Sequence, residues 1–142
     1  MKLNLWKMQK ELLTAEKTQA FIRDAMKRKM DALQVSTALA KQNYTNEERA
    51  EIMDYMALVP KFREKFGAKA EFLLCDKLAL EQSTAQDIGQ LKSRFWPSGK
   101  EAEGKTVHDL CCGMGGDSFF LPKSFKVVGV DLDENRLAMY NY

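Results

Sequence analysis

Nine residues late in this 142-residue chain, Asp109-Leu110-Cys111-Cys112-Gly113-Met114-Gly115-Gly116-Asp117, limit what it can fold into more than any other stretch. They follow an apolar-leaning run, Thr106 to Leu110, and lead through Phe119-Phe120-Leu121 to a second run, Lys126-Val127-Val128-Gly129-Val130, that closes on Asp131. The pattern predicts a strand, a tight glycine turn, a short helix and a second strand. Glycines in the turn allow backbone angles and approaches that a Cβ would block. A glycine loop after a first strand, with a carboxylate about 20 residues further on, is how open parallel sheets hold a nucleotide-like ligand at the carboxyl ends of their strands.

The loop chemistry narrows the ligand. The third glycine of a dinucleotide G-x-G-x-x-G would fall at position 118, which is Ser118, and a phosphate-loop lysine after Gly116 is replaced by Asp117. An aspartate there repels a pyrophosphate. A phosphate-free cation fits better, and S-adenosylmethionine, with its sulfonium and ammonium groups, is such a ligand. Asp109 and Asp117 then favour binding, Asp131 is placed to accept from two ribose hydroxyls, and Leu132 is placed to pack on the adenine. Asp133 is expected to cap the helix that follows.

Upstream, the pattern is helical from Leu5 to about Leu80. Trp6, Gln9, Leu12 and Leu13 recur at helical spacing; Thr14 is expected to cap a helix with Phe21, Ile22, Ala25, Met26 and Met30 on its buried stripe. Asp31 is expected to cap the next, with Leu33, Ser36, Leu39 and Ala40. Thr45-Asn46-Glu47-Glu48 is a capping box ahead of Ile52, Met53, Met56 and Val59. Pro60 is expected to end or kink that helix, and Phe62 and Phe66 to sit on a short following one stopped by Gly67. Phe72 to Leu80 holds two apolar runs too short to classify. Ser83 or Thr84 is expected to cap a helix through Ile88, Leu91 and Phe95, whose first-turn amides suit a carboxylate. Residues 96–105, polar with Pro and Gly, are expected to link into the strand at Thr106.

Charge and cysteine content bound the class. Residues 1–70 carry 14 basic and 9 acidic side chains, and residues 71–142 carry 8 and 11, so the front is mildly basic although the whole is only +2. Lys27-Arg28-Lys29 is the densest basic cluster, and it reads as a solvated helix face or a weak nucleic-acid contact. No run approaches the length of a membrane span or a signal peptide, which predicts a soluble, cytoplasmic protein without a membrane partner. Cys75, Cys111 and Cys112 fit neither a disulfide framework nor a zinc pattern, so they are expected to be reduced, and no metal is expected. His108, the single histidine, is expected to be structural.

Leu80-Glu81-Gln82-Ser83-Thr84, the glycine loop and Val130-Asp131-Leu132-Asp133 together resemble the start of a class I S-adenosylmethionine-dependent methyltransferase. More narrowly, the chain is similar to bacterial methyltransferase-like proteins that join a helical N-terminal domain to this fold and end in a THUMP-like domain. It is more distantly similar to trimethylguanosine synthase. The resemblance implies a mainly α N-terminal domain (1–80), a connecting helix and linker (81–105), and the first βαβ portion of a Rossmann-like methyltransferase sheet (106–142). It implies a cofactor site of Gln82, Thr84, Asp109, Cys111, Gly113, Gly115, Gly116, Asp117, Asp131 and Leu132, with the Gln82–Thr84 turn over the methionine end of S-adenosylmethionine. RNA is the substrate it suggests. Because the family's catalytic motif follows a later strand, no residue of this chain is assigned to methyl transfer. The chain is expected to be an N-terminal fragment, inactive alone: either the helical domain packs on its two strands, or a second copy completes the sheet by self-association through the unpaired edges, or this tail is weakly ordered. Two other readings are a helical RNA- or protein-binding module with a ligand-free loop, and a nicotinamide enzyme, the latter disfavoured by Asp117 and Ser118.

Overall fold

The computed structural model describes residues 9–67 and 74–140; expectations for Trp6, Phe72 and Leu73 lie outside them. Contacts divide the chain into two compact units, Met1–Pro60 and Lys61–Tyr142, whereas the sequence reading placed boundaries at 80 and 105. Among the described residues no helix is long and apolar enough to cross a membrane.

The first unit is helical. Residues 9–14 are helical, and α1 (Glu16–Lys27) and α2 (Ala32–Lys41) follow. Asp31 caps α2 as expected, in a reciprocal box: its carboxylate accepts from Gln34 N at 2.8 Å while Gln34 Oε1 accepts from Asp31 N at 3.0 Å. Thr14 does not cap α1. Its hydroxyl donates back to Lys10 O at 2.7 Å, leaving Ala15 as a cap without a side-chain bond, the local competition to which threonine is prone. The stripe expected on α2 is also rotated. Leu33 is 77% exposed and Ala40 is exposed, while Val35 and Leu39 are buried, Leu39 completely. They share a core with Leu13, Ile22, Ala25, Ile52, Tyr55 and Val59.

α3 (Asn46–Phe66) opens on the expected box between Thr45 and Glu48. It does not stop at Pro60: the helix runs on through Phe62 to Phe66 as one element. Proline's fixed φ suits a helix, so the penalty is one missing N–H and crowding of the preceding turn. Gly67, at φ +80°, ends it by donating its N–H to Arg63 O at 3.0 Å.

In the second unit α4 (Lys77–Gln82) is capped by Asp76, which accepts from Ala79 N at 2.7 Å. α5 (Gln86–Ser93) follows a turn at 83–85. Neither expected hydroxyl caps α5; its N-cap is Ala85, without a side-chain bond. Nor do Ile88, Leu91 and Phe95 form a buried face: they are all exposed, Phe95 by 83% and beyond the end of the helix. The buried side of α5 is Gly89, where a Cβ would stand 2.0 Å from the Phe120 ring. The ring takes the space a side chain would need.

β1 (Thr106–Leu110) and β2 (Lys126–Val130) pair in parallel, Thr106 opposite Lys126 and Leu110 opposite Val130. The crossover between them contains a 3-10 turn, Ser118–Phe120, where a short helix was expected. Pro122 explains the brevity: it disfavours helical angles at Leu121, which is extended at φ −68°, ψ 146°. α6 (Glu134–Tyr140) follows β2. Thus the described residues are mainly helical with a small two-stranded parallel sheet.

Replacing Leu39 with Ala should cost about 2–5 kcal/mol, whereas Leu33→Ala on the same helix should stay within about 0.5 kcal/mol. Urea unfolding of both variants measures this, and equal losses would contradict the register of α2.

Candidate functional site

The carboxyl ends of β1 and β2, the glycine loop and the turn between α4 and α5 enclose a cleft of about 390 Å³. The turn and the loop meet at Gly116. Its φ is not positive, so its need for glycine is spatial: a Cβ would stand 2.9 Å from Thr84 N and 3.0 Å from Ser83 Cβ. Gly113 is the opposite case, in open space but at φ +55°. Cys111 shares that left-handed region at φ +61°, which a non-glycine residue adopts only where its surroundings hold it.

The strand-end acids have separate tasks. Asp131 Oδ2 accepts from Gly113 N at 2.8 Å, so the second strand's acid ties down the loop of the first. Its other oxygen accepts from Asp133 N at 3.0 Å. These bonds, that from Asp133 first, hold the Asp131 carboxyl below its ordinary range, and it stays an acceptor with lone pairs to spare. Asp133 meanwhile accepts from Asn135 N at 2.8 Å, the expected cap of α6. Asp109 accepts a bond from the Ser118 hydroxyl, which also lies 3.1 Å from Tyr140 Oη. The position where a dinucleotide loop has its third glycine thus holds a hydroxyl that fixes the first acid.

Asp117 is less free than the sequence implied. Its Oδ1 accepts from Thr84 Oγ1 at 2.6 Å and from Lys92 Nζ at 2.7 Å, joining the loop to the turn and to α5. Burial opposes its charge, but the bonds from Lys92 and Thr84 outweigh burial and hold the carboxyl below its ordinary 3.8. Arg136, on α6, lies on the cleft and pairs with Asp76 at 3.1 Å. Four aspartates, 109, 117, 131 and 133, therefore face one guanidinium around the cleft, and that guanidinium already has an acid.

Of the residues expected to form one site, Gln82, Thr84, Asp109, Cys111, Gly113, Gly116, Asp117 and Asp131 line this cleft. Gly115 and Leu132 are not among its lining residues. A Cβ on Gly115 would come 3.0 Å from the Tyr140 ring, so that glycine makes room for α6, and Leu132 is fully exposed. Sequence reasoning missed Lys92, Ser118, Arg136 and Tyr140. The spacing of Arg136 three residues beyond the cap Asp133, one helical turn along, was the available signal.

The thiols are free. Cys75 is pushed up to about 12, chiefly by burial and then by the charge of Asp76. Burial, then Asp109 and Asp131, also raises Cys112, while Cys111 is exposed. His108 is exposed on β1. Among the described residues no cluster of His, Cys, Asp and Glu is arranged to hold a metal ion.

Compared with protein-family models, with curated proteins and with solved structures, the chain has no match.

Because Asp117 titrates lower folded than unfolded, its contribution to stability is present above 3.8 and is lost as the pH falls from there through the folded value. Unfolding measured against pH should show a steeper acid loss in wild type than in Lys92→Met. Superimposable profiles would mean that Lys92 does not carry the effect.

Proposed function

We propose that the cleft binds S-adenosylmethionine and that the second unit is the cofactor-binding start of a Rossmann-like, class I methyltransferase. The observation that carries this reading is the Asp131 carboxylate at the end of β2, kept ionised beside the glycine loop and bonded to Gly113 N. An ionised acid with spare lone pairs accepts the paired hydroxyls of a ribose. The excess of aspartate around the cleft supports a cationic ligand and opposes a phosphate one.

The crossover supports the same choice. Pyrophosphate sites use the N-terminus of a helix directly after the glycine loop, and here the loop leads into a three-residue 3-10 turn. A nicotinamide dinucleotide is disfavoured for that reason in addition to Asp117 and Ser118. About 390 Å³ lies within the range of small-molecule sites.

In this reading Asp131 holds the ribose, Asp109 faces the charged end of the ligand, and the amides of the turn at Thr84 meet its carboxylate. Asp117 acts mainly by holding that turn against the loop. Gly113 and Gly116 keep side chains out of the space. When bound, S-adenosylmethionine supplies a methyl carbon activated by a sulfonium. What the chain contributes is orientation of the donor, the larger part of catalysis in a direct displacement. No residue is assigned to the acceptor.

Calorimetry should detect S-adenosylmethionine binding and no NAD binding. Asp131→Asn should weaken the former by about tenfold or more, as expected for bonds to a charged acceptor, with the circular dichroism spectrum retained. Heat from NAD alone would overturn the reading.

RNA is proposed as the acceptor on the basis of the basic excess in residues 1–70. Gel shifts with transfer RNA should persist at about 0.15 M salt. Binding confined to very low salt would remove RNA from the proposal.

A further inference from the structure

The turn that forms one wall of the cleft is held by a residue outside it. Lys65, in the last turn of α3, extends its ammonium to the carboxyl end of α4, where Nζ donates to Leu80 O at 2.6 Å, Glu81 O at 2.9 Å and Ser83 O at 2.9 Å. An ammonium has three N–H groups, and three carbonyls take them. The site suits a cation, because the carboxyl end of a helix carries the negative end of its dipole and a carbonyl oxygen has two lone pairs to offer.

The third bond bears on the cleft. In a trans peptide the C=O and N–H of one unit point in opposite directions, and the chain has no cis bond among the described residues. With the Ser83 carbonyl turned to Lys65, the Thr84 N–H is turned away from it. The glycine loop passes close to this amide: Thr84 N lies 2.9 Å from where a Gly116 Cβ would stand. The Thr84 side chain is fixed independently, by its bond to Asp117. The ammonium thus sets the peptide plane from one side and Asp117 holds the side chain from the other.

We propose that Lys65 is a positioning residue of the cleft, which aims the Thr84 amide at the carboxylate of the bound ligand. The inference rests on the S-adenosylmethionine reading and adds to it a residue that does not itself line the cleft. It also separates the two ends of the ligand, because Lys65 acts on the turn and leaves Asp131 and Gly113, which meet the ribose end, unchanged.

That separation supplies the test. 5′-Methylthioadenosine has the adenosine and sulfur of S-adenosylmethionine but lacks its amino acid carboxylate. In calorimetry of the full chain, Lys65→Met should weaken S-adenosylmethionine binding by about tenfold or more and leave 5′-methylthioadenosine within about twofold of wild type. Lys65→Gln, which keeps two N–H donors, should fall between, and it carries the same selective test if Lys65→Met fails to fold. Equal loss of both ligands would mean a general structural role, and no loss of either would mean no role; each overturns the inference while wild-type binding leaves the cofactor reading standing. If wild type binds neither ligand, the cofactor reading falls and this inference with it.

Discussion

The second unit depends on the close approach of two backbones at Gly116. There the loop after β1 lies against the turn between α4 and α5 with no room for a Cβ. Everything else at the cleft adjusts to that approach. Asp117, the next residue, bonds both Thr84 and Lys92, and Gly89 on α5 accommodates the Phe120 ring from the same crossover. Two glycines without a left-handed requirement are thus essential for space. The glycines with positive φ, 113 and 115, shape the loop between.

Charge is distributed so that the cleft stays acidic without being uniformly unpaired. Asp117 and Asp76 have cationic partners in Lys92 and Arg136. Asp131 and Asp133 are stabilised by backbone N–H groups, and Asp109 by the Ser118 hydroxyl. Backbone donors stabilise a carboxylate without cancelling its charge as an ion pair does. Aspartates serving structural ties therefore remain able to attract a cation. The crossover itself packs through aromatic rings, with Phe66 5.4 Å from Phe119 and 6.2 Å from Phe120 between ring centres.

Much of the local order was legible because its causes are local. The boxes at Asp31–Gln34 and Thr45–Glu48 involve residues three apart, and both form. The strands fall on the two apolar runs, with β2 ending before Asp131. Readings failed where a residue had a competing partner. Thr14 chose the Lys10 carbonyl, Ser83 the Leu80 carbonyl at 2.7 Å, and Thr84 the Asp117 carboxylate 33 residues away. The face of α5 was misread because a periodic stripe records apolar side chains and is blind to a glycine that packs by lacking one. Pro60 was expected to end or kink the helix because its helical cost was visible; the helix continues, and the burial of Phe62 and Phe66 that favours continuing was not visible.

By itself the sequence determined the strand–glycine loop–strand order, the acids at the strand ends and the absence of a phosphate-loop lysine after Gly116. Those follow from residue type and spacing, which act over a few bonds. Only the tertiary structure decided that Asp117 is tied to Lys92, that Gly115 and Gly129 make room for Tyr140, and that Lys65 grips three carbonyls 15 to 18 residues further on. Such contacts depend on which surfaces meet. A flexible side chain or a missing Cβ carries no record of its distant partner until the chain has folded.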